Sequence, residues 1–281
     1  MTSDGVTTGM SAPGPPDDDR NAARRQALAE RAIALIDLTD LADDHGADGI
    51  EALCGKAVTH GTAAVCVWPE YVARGRELLA GTQVRVATVV NFPSGLDAPD
   101  EVAALTSRAL ADGADDIDVV LPYTQFAAGD VEPAAAVLDA VRAEVTAPAI
   151  VKVILETGEL TEPGQVMRAA QLAVDHGADF IKTSTGKSGT GATPQAVRAM
   201  LEVIAAAAAS GRQIGLKPSG GIRTLEDAAT YLELADRVLG ANWASPATFR
   251  FGASGLLDVL VAELEADVGG GSSMGPNPGA Y

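Results

Sequence analysis

Short runs of aliphatic and β-branched residues, separated by longer amphipathic stretches, set the rhythm of this chain. They occupy residues 32–39, 63–68, 85–91, 116–121, 149–156, 180–183, 214–217 and 237–239. Runs that are apolar on both faces are expected of parallel strands covered on both sides. The stretches between them open on helix signals. Asp97-Ala-Pro-Asp-Glu101 puts acids in a first turn, and Thr161-Glu-Pro-Gly-Gln165 opens another helix. Thr193-Pro194 is a threonine cap followed by proline at the first helical position, and Thr224-Leu-Glu-Asp227 has capping-box spacing. Gly-Ala-Asp occurs twice directly before a run, at 113–115 and 177–179. Glycine there ends a helix, and the turn feeds the next strand.

Eight strands, each followed by a helix, predict a single α/β domain with the (β/α)8 TIM-barrel architecture. A length of 281 residues suits one such barrel. The barrel is expected over 25–266. Residues 1–24 are rich in Ser, Thr, Gly, Pro and Asp and read as a disordered extension. Residues 267–281 read as a flexible glycine-rich tail ending at Tyr281. Chemistry in such a barrel collects at the C-terminal ends of the strands. Asp37, Asn91, Asp118, Glu156, Lys182, Lys217 and Gly220 all fall at or near those ends.

Composition narrows the partners. Aromatic residues are only 4% of the chain, so the core must be built from Ala, Val, Leu and Ile. A net charge of −18 disfavours nucleic acid and anionic membranes, and an anionic substrate then needs a local cationic or amide-lined pocket. No apolar run is long enough to span a bilayer, and the N-terminus has no signal core. Cys54 and Cys66 lie in apolar surroundings without metal-type spacing. They read as reduced buried thiols of a cytoplasmic protein.

Lysine is scarce. Five lysines (Lys56, Lys152, Lys182, Lys187 and Lys217) stand against fifteen arginines, and four of the five lie between 152 and 217, in or just after strand-like runs. Arginine cannot serve as a nucleophilic amine, whereas a buried or crowded lysine can lose its proton. Lys182, in Asp179-Phe-Ile-Lys-Thr-Ser-Thr185, and Lys217, in Ile214-Gly-Leu-Lys-Pro-Ser-Gly-Gly221, therefore suggest Schiff-base chemistry. One ammonium beside another amine disfavours the second proton. A salt bridge from Lys182 to a core acid is the plainer alternative.

Alternation along the fourth run puts Asp116 and Asp118 on one face. A carboxylate inside a barrel is costly unless paired, and pairing with the two lysines meets that cost and supplies a proton relay. The alternative is a purely structural ion pair. Asp37, at the end of the first run, suits binding of a substrate hydroxyl, orientation of Lys217, or a helix cap. Two glycine-rich segments, Ser219-Gly-Gly-Ile-Arg-Thr224 and Phe251-Gly-Ala-Ser-Gly255, are placed after the seventh and eighth strands. That is where such barrels hold phosphate on backbone amides and a helix N-terminus. Lys187 adds a cation nearby. His45, His60 and His176 share no ligand spacing, and no dinucleotide fingerprint or serine elbow is present. No metal or organic cofactor is expected.

Residues 27–265 and the terminal tyrosine together resemble the class I deoxyribose-phosphate aldolases. Leu38-Thr39, Asn91-Phe-Pro93, Ile117-Asp-Val-Val120, Glu156-Thr-Gly-Glu-Leu160, the 177–187 run, Lys217-Pro218, Gly220-Gly221 and Arg250-Phe-Gly-Ala-Ser254 carry the likeness. The resemblance implies Lys182 as the Schiff-base lysine, Lys217 as the lysine that perturbs it, and Asp118 as the proton-relay carboxylate. It places Asp37 near the substrate end of the pocket, and Thr185, Lys187, Gly220, Gly221, Arg223 and Ser254 around a phosphate. Gly255 stands where relatives often carry a second serine, which shifts the phosphate grip toward backbone amides. Tyr281 matches a C-terminal tyrosine that assists protonation of the enamine. Composition alone makes it an idle terminal residue.

The implied reaction is reversible cleavage of 2-deoxy-D-ribose 5-phosphate to D-glyceraldehyde 3-phosphate and acetaldehyde, in deoxyribonucleotide catabolism. The implied partners are phosphosugar and aldehyde substrates, and a homodimer is compatible with the family. Another Schiff-base barrel aldolase or transaldolase is the nearest alternative. A non-catalytic phosphosugar-binding barrel is the alternative from a different class.

Overall fold

A computed structural model describes residues 17–42 and 46–270 of the chain. Eight strands run in chain order: β1 (Ile36–Asp40), β2 (Ala64–Val67), β3 (Arg85–Val90), β4 (Asp116–Val120), β5 (Ile150–Ile154), β6 (Phe180–Lys182), β7 (Gly215–Lys217) and β8 (Phe251–Ala253). All neighbouring strands pair in parallel, in the order β7-β6-β5-β4-β3-β2-β1-β8. Parallel bridges Leu216↔Phe249 and Ser219↔Gly252 join the two ends, so the sheet closes into a (β/α)8 barrel. Ten α-helices among the described residues surround it: α1 (Asp17–Ile33), α2 (Ala47–His60), α3 (Val72–Leu78), α4 (Pro99–Ala111), α5 (Tyr123–Ala127), α6 (Glu132–Glu144), α7 (Gln165–Asp175), α8 (Pro194–Ala209), α9 (Leu225–Leu239) and α10 (Leu256–Gly270). Among the described residues no helix is long and apolar enough to cross a membrane.

One strand expected from sequence is corrected, and the helices at the two ends run past the expected domain bounds. Residues 237–239, expected as the eighth strand, are the last turn of α9. Leu225, Ala228, Tyr231, Leu232 and Ala235 bury one face of that helix at three- and four-residue spacing, and its last apolar turn mimics a short strand. The true β8 was hidden in the glycine-rich Phe251-Gly-Ala segment. The helical structure also starts at Asp17, inside the stretch expected to be disordered. Packing overrides composition there: α1 buries Ala29 and Ala32, and Arg25 and Arg31 bridge to Glu263 on α10 and Asp236 on α9. At the other end α10 runs to Gly270, past the expected boundary at 266.

The expected caps form. Thr193 Oγ1 accepts from the Ala196 amide at 3.2 Å, and Thr224 and Asp227 exchange two hydrogen bonds of 3.0 Å. The repeated Gly-Ala-Asp phrase is a structural device used twice. Gly113 and Gly177 both adopt left-handed φ, of 100° and 90°. The stems of Arg76 and Arg142 lie across them, so close that an added Cβ would meet each stem within 2.7 Å. Each arginine then pairs with the aspartate two residues on, Arg76 with Asp115 at 3.0 Å and Arg142 with Asp179 at 2.9 Å. Each aspartate also accepts the amide of the neighbouring strand, Val86 or Val151, at 2.8 Å. The device ties a helix end to the foot of two neighbouring strand pairs, β3–β4 and β5–β6.

The main apolar core lies between sheet and helices. A smaller one, of Leu41, Cys66, Ala87 and Val89 with Trp68 and Phe92 against it, forms a separate cluster of strand and strand-end residues. Register places Asp118 opposite Lys152 and Lys182 opposite Lys217, so four charged side chains stand on adjacent strands. Gly177→Ala is expected to destabilise the fold by about 1–3 kcal/mol, from strained φ and displacement of the Arg142 stem, read as a lower urea midpoint at unchanged slope.

Candidate active site

The strands β4 to β7 and the segment entering β8 each send charged groups to the barrel axis. Asp118 on β4 is the hub. Its Oδ2 accepts from Lys182 Nζ at 2.9 Å and from Lys217 Nζ at 2.7 Å, while its Oδ1 accepts from Lys152 Nζ at 3.1 Å. Lys217 Nζ also stands 2.6 Å from Asp37 Oδ2, and Arg250 Nη1 donates to Asp37 Oδ1 at 2.6 Å. Below the hub, Lys152 Nζ reaches Asp116 Oδ2 at 2.5 Å, and Arg85 Nε reaches Asp116 Oδ1 at 2.7 Å. The result is one continuous chain of paired charges along the axis.

Burial and charge set the proton states. Burial would push the Asp118 carboxyl up, but Lys152, Lys182 and Lys217 outweigh it and hold that group well below the usual carboxylate range. Burial likewise opposes Lys217 and Lys152, and the surrounding aspartates outweigh it in both cases, so both amines hold their protons more firmly than ordinary lysine. Lys182 goes the other way. Burial lowers it, the Lys217 ammonium adds to that, and Asp118 alone does not compensate. Exposure separates the amines too: Lys182 retains 2% of its surface, whereas Lys152 and Lys217 retain none. The amine with the loosest proton is therefore also the one that is not wholly enclosed.

Above the hub opens a cavity of about 620 Å³. Thr185, Gly186 and Lys187 line it from the loop after β6, and Gly220, Gly221 and Arg223 from the loop after β7. Ser254 and Gly255, between β8 and α10, complete the wall. All seven residues expected to surround a phosphate thus share one cavity. Gly252 lies where that wall meets Lys217; a Cβ there would sit 2.6 Å from Ser219 Oγ and 3.2 Å from Lys217 Cε. Only glycine lets the backbone pass so close to the amine. Asp37 does not line the cavity. It is fully buried beneath it and is paired with Lys217 and Arg250. Tyr281 lies outside the described residues.

Two site residues were given no role from the sequence. Lys152 was visible only as one of the scarce lysines, and Arg250 only inside a glycine-rich phrase. Glu156, at a strand end, holds the loop after β6: it accepts from Thr185 Oγ1 at 2.6 Å and from Ser188 Oγ at 2.9 Å. Glu156 and Asn91 are non-glycine residues with positive φ, 52° and 55°, both buried at strand ends. Such conformations persist only where the surroundings enforce them, and they gather at functional sites. Among the described residues no cluster of His, Cys, Asp and Glu is arranged to hold a metal ion.

Comparison with known proteins agrees with this geometry. The family model described as DeoC/LacD family aldolase matches residues 31–260. A deoxyribose-phosphate aldolase from Agrobacterium fabrum is 48% identical over 244 residues, 86% of this chain and 93% of that one. A crystal structure from Coccidioides immitis, described as a candidate deoxyribose-phosphate aldolase, is 30% identical with a TM-score of 0.73, covering 87% of this chain and 95% of that one. Another of the same description, from Toxoplasma gondii, is 26% identical with a TM-score of 0.79, covering 88% and 98%. The chain therefore belongs to the DeoC/LacD family of aldolases and is a lyase.

Proposed function

We propose that the protein cleaves 2-deoxy-D-ribose 5-phosphate reversibly to D-glyceraldehyde 3-phosphate and acetaldehyde through a Schiff base on Lys182, in the breakdown of deoxyribonucleotides. The observation that carries this reading is the pair of lysines sharing one oxygen of Asp118, with the proton held loosely on Lys182 and firmly on Lys217. The neutral Lys182 amine adds to C1 of the open-chain sugar. The carbinolamine hydroxyl leaves as water, taking a proton passed across Asp118, and a protonated imine remains. The C2–C3 bond then breaks as the C3 hydroxyl gives up its proton. Its electron pair flows into the iminium, so glyceraldehyde 3-phosphate departs and an enamine is left. Protonation of the enamine at C2 and hydrolysis by water release acetaldehyde and the free amine.

The phosphate is seated among the loops that follow β6, β7 and β8. The glycines there bring amides close, and Lys187 and Arg223 supply charge in a chain that is otherwise strongly acidic. Anchoring the phosphate fixes where C1 lies relative to Lys182.

Borohydride reduction in the presence of acetaldehyde, followed by peptide mass mapping, is expected to place an ethyl group on Lys182. An adduct on Lys217, or none, contradicts the assignment. Lys217→Leu is expected to lower kcat/KM by a factor of about 10²–10⁴ and to move the pH profile upward, because Lys182 then keeps its proton. Arg223→Ala is expected to raise KM for the phosphorylated sugar about 10- to 100-fold, the worth of a charged hydrogen bond, and to leave turnover of unphosphorylated 2-deoxyribose unchanged.

A further inference from the structure

The lower half of the buried charge network takes no part in the steps above. Lys152 has no exposed surface, and it contacts Asp116 at 2.5 Å, Asp118 at 3.1 Å and Asp37 at 3.5 Å. A substrate in the cavity cannot touch it. Whatever Lys152 does for the reaction runs through Asp118.

The charges around Lys182 can be counted strand by strand. Asp37 comes from β1, Cys66 from β2, Arg85 from the foot of β3, Asp116 and Asp118 from β4, Lys152 from β5, Lys217 from β7 and Arg250 from the residue before β8. Glu156 is turned to the hydroxyls of Thr185 and Ser188. Burial raises the Cys66 thiol, which keeps it uncharged. Arg85, part-exposed at the barrel floor, is bound to Asp116 at 2.6 Å and stands outside the fully buried set. The buried acids of the axis are then Asp37, Asp116 and Asp118, and the buried cations other than Lys182 are Lys152, Lys217 and Arg250. Three balance three. A proton on Lys182 adds a fourth buried positive charge whose one carboxylate partner, Asp118 Oδ2, is already shared with Lys217, in surroundings where an undercompensated charge is costly.

We propose that Lys152 is a positioning residue of the aldolase site, fixing Oδ1 of Asp118 and supplying the positive charge that keeps the interior balanced while Lys182 carries no proton. The proposal rests on the Schiff-base reading of Lys182. Without Lys152, Oδ1 of Asp118 loses its cation, Asp118 turns more of its charge on Lys182 and Lys217, and Lys182 holds its proton more firmly. Removing Asp116 together with Lys152 takes away one buried charge of each sign and restores the free amine.

The test is the pH dependence of borohydride trapping with acetaldehyde in the wild type, Lys152→Met, Asp116→Asn and the double variant Lys152→Met/Asp116→Asn. In Lys152→Met the rising limb of the trapping rate is expected to move up by one pH unit or more, so that trapping near neutrality slows about tenfold while the plateau at high pH is kept. The double variant is expected to bring the limb back to the wild-type position, and Asp116→Asn alone to move it down. A purely structural lysine would change amplitude or stability and leave the limb in place. An unmoved limb in folded Lys152→Met, or a double variant as displaced as the single one, overturns the proposal. If Lys152→Met does not fold, an unmoved limb in Asp116→Asn overturns it equally. A wild type that traps nothing on Lys182 removes the Schiff-base reading and this inference with it. Normal wild-type trapping with unshifted variants removes this inference alone.

Discussion

One buried carboxylate organises this molecule. Asp118 sits at the middle of the barrel with no exposed surface and answers three amines with two oxygens. A carboxylate in that position must be paired, and the amines that pair with it must in turn share its charge. Sharing is the useful part. The proton of Lys217 is held by Asp118 and Asp37 together, and that of Lys152 by three carboxylates, whereas Lys182 has only the oxygen that Lys217 already occupies. The least compensated amine is also the one of the three that keeps any exposed surface.

Buried ion networks give a fold little net stability, and well-packed apolar side chains of similar volume often serve as well or better. The chain has such side chains in plenty, since its sheet-to-helix core is almost wholly aliphatic. Keeping three aspartates, three lysines and an arginine on the axis is therefore better explained by chemistry than by folding. The barrel makes the arrangement cheap to build. Parallel register puts Lys152 beside Asp118 and Lys217 beside Lys182 with no loop involved, and the loops are left free to form the anion-binding mouth. The twin arginine–aspartate ties at Gly113 and Gly177 hold the strand feet on which that register depends.

The upper half of the site was legible in the sequence, because each of its residues carries a local sign. Lys182 and Lys217 stand out in a lysine-poor chain, Asp118 follows an alternating strand, and the glycines of 220–221 punctuate a strand–helix joint. The lower half was not. Lys152 looks like one polar residue in an apolar run, and only closure of the barrel brings it between Asp116 and Asp118. Arg250 makes its contact with Asp37 across 213 residues of chain, a distance no local pattern encodes. The eighth strand was misplaced for a related reason. Phe251-Gly-Ala is too short and too glycine-rich to announce a strand by itself, and it becomes one through bridges to β7 and pairing with β1. The start of α1 was missed because its polar composition says nothing of the salt bridges that hold it to α9 and α10.

The central claim is that three neighbouring buried amines hold their protons unequally. With only five lysines in the chain, the nitrogens can be observed one by one by NMR after ¹⁵N-lysine labelling, with single substitutions used for assignment. The account requires the Lys182 Nζ to titrate below the ordinary lysine range while Lys152 and Lys217 remain protonated beyond it. A Lys182 that stays protonated through the ordinary lysine range, or a Lys217 that loses its proton before Lys182 does, would contradict it.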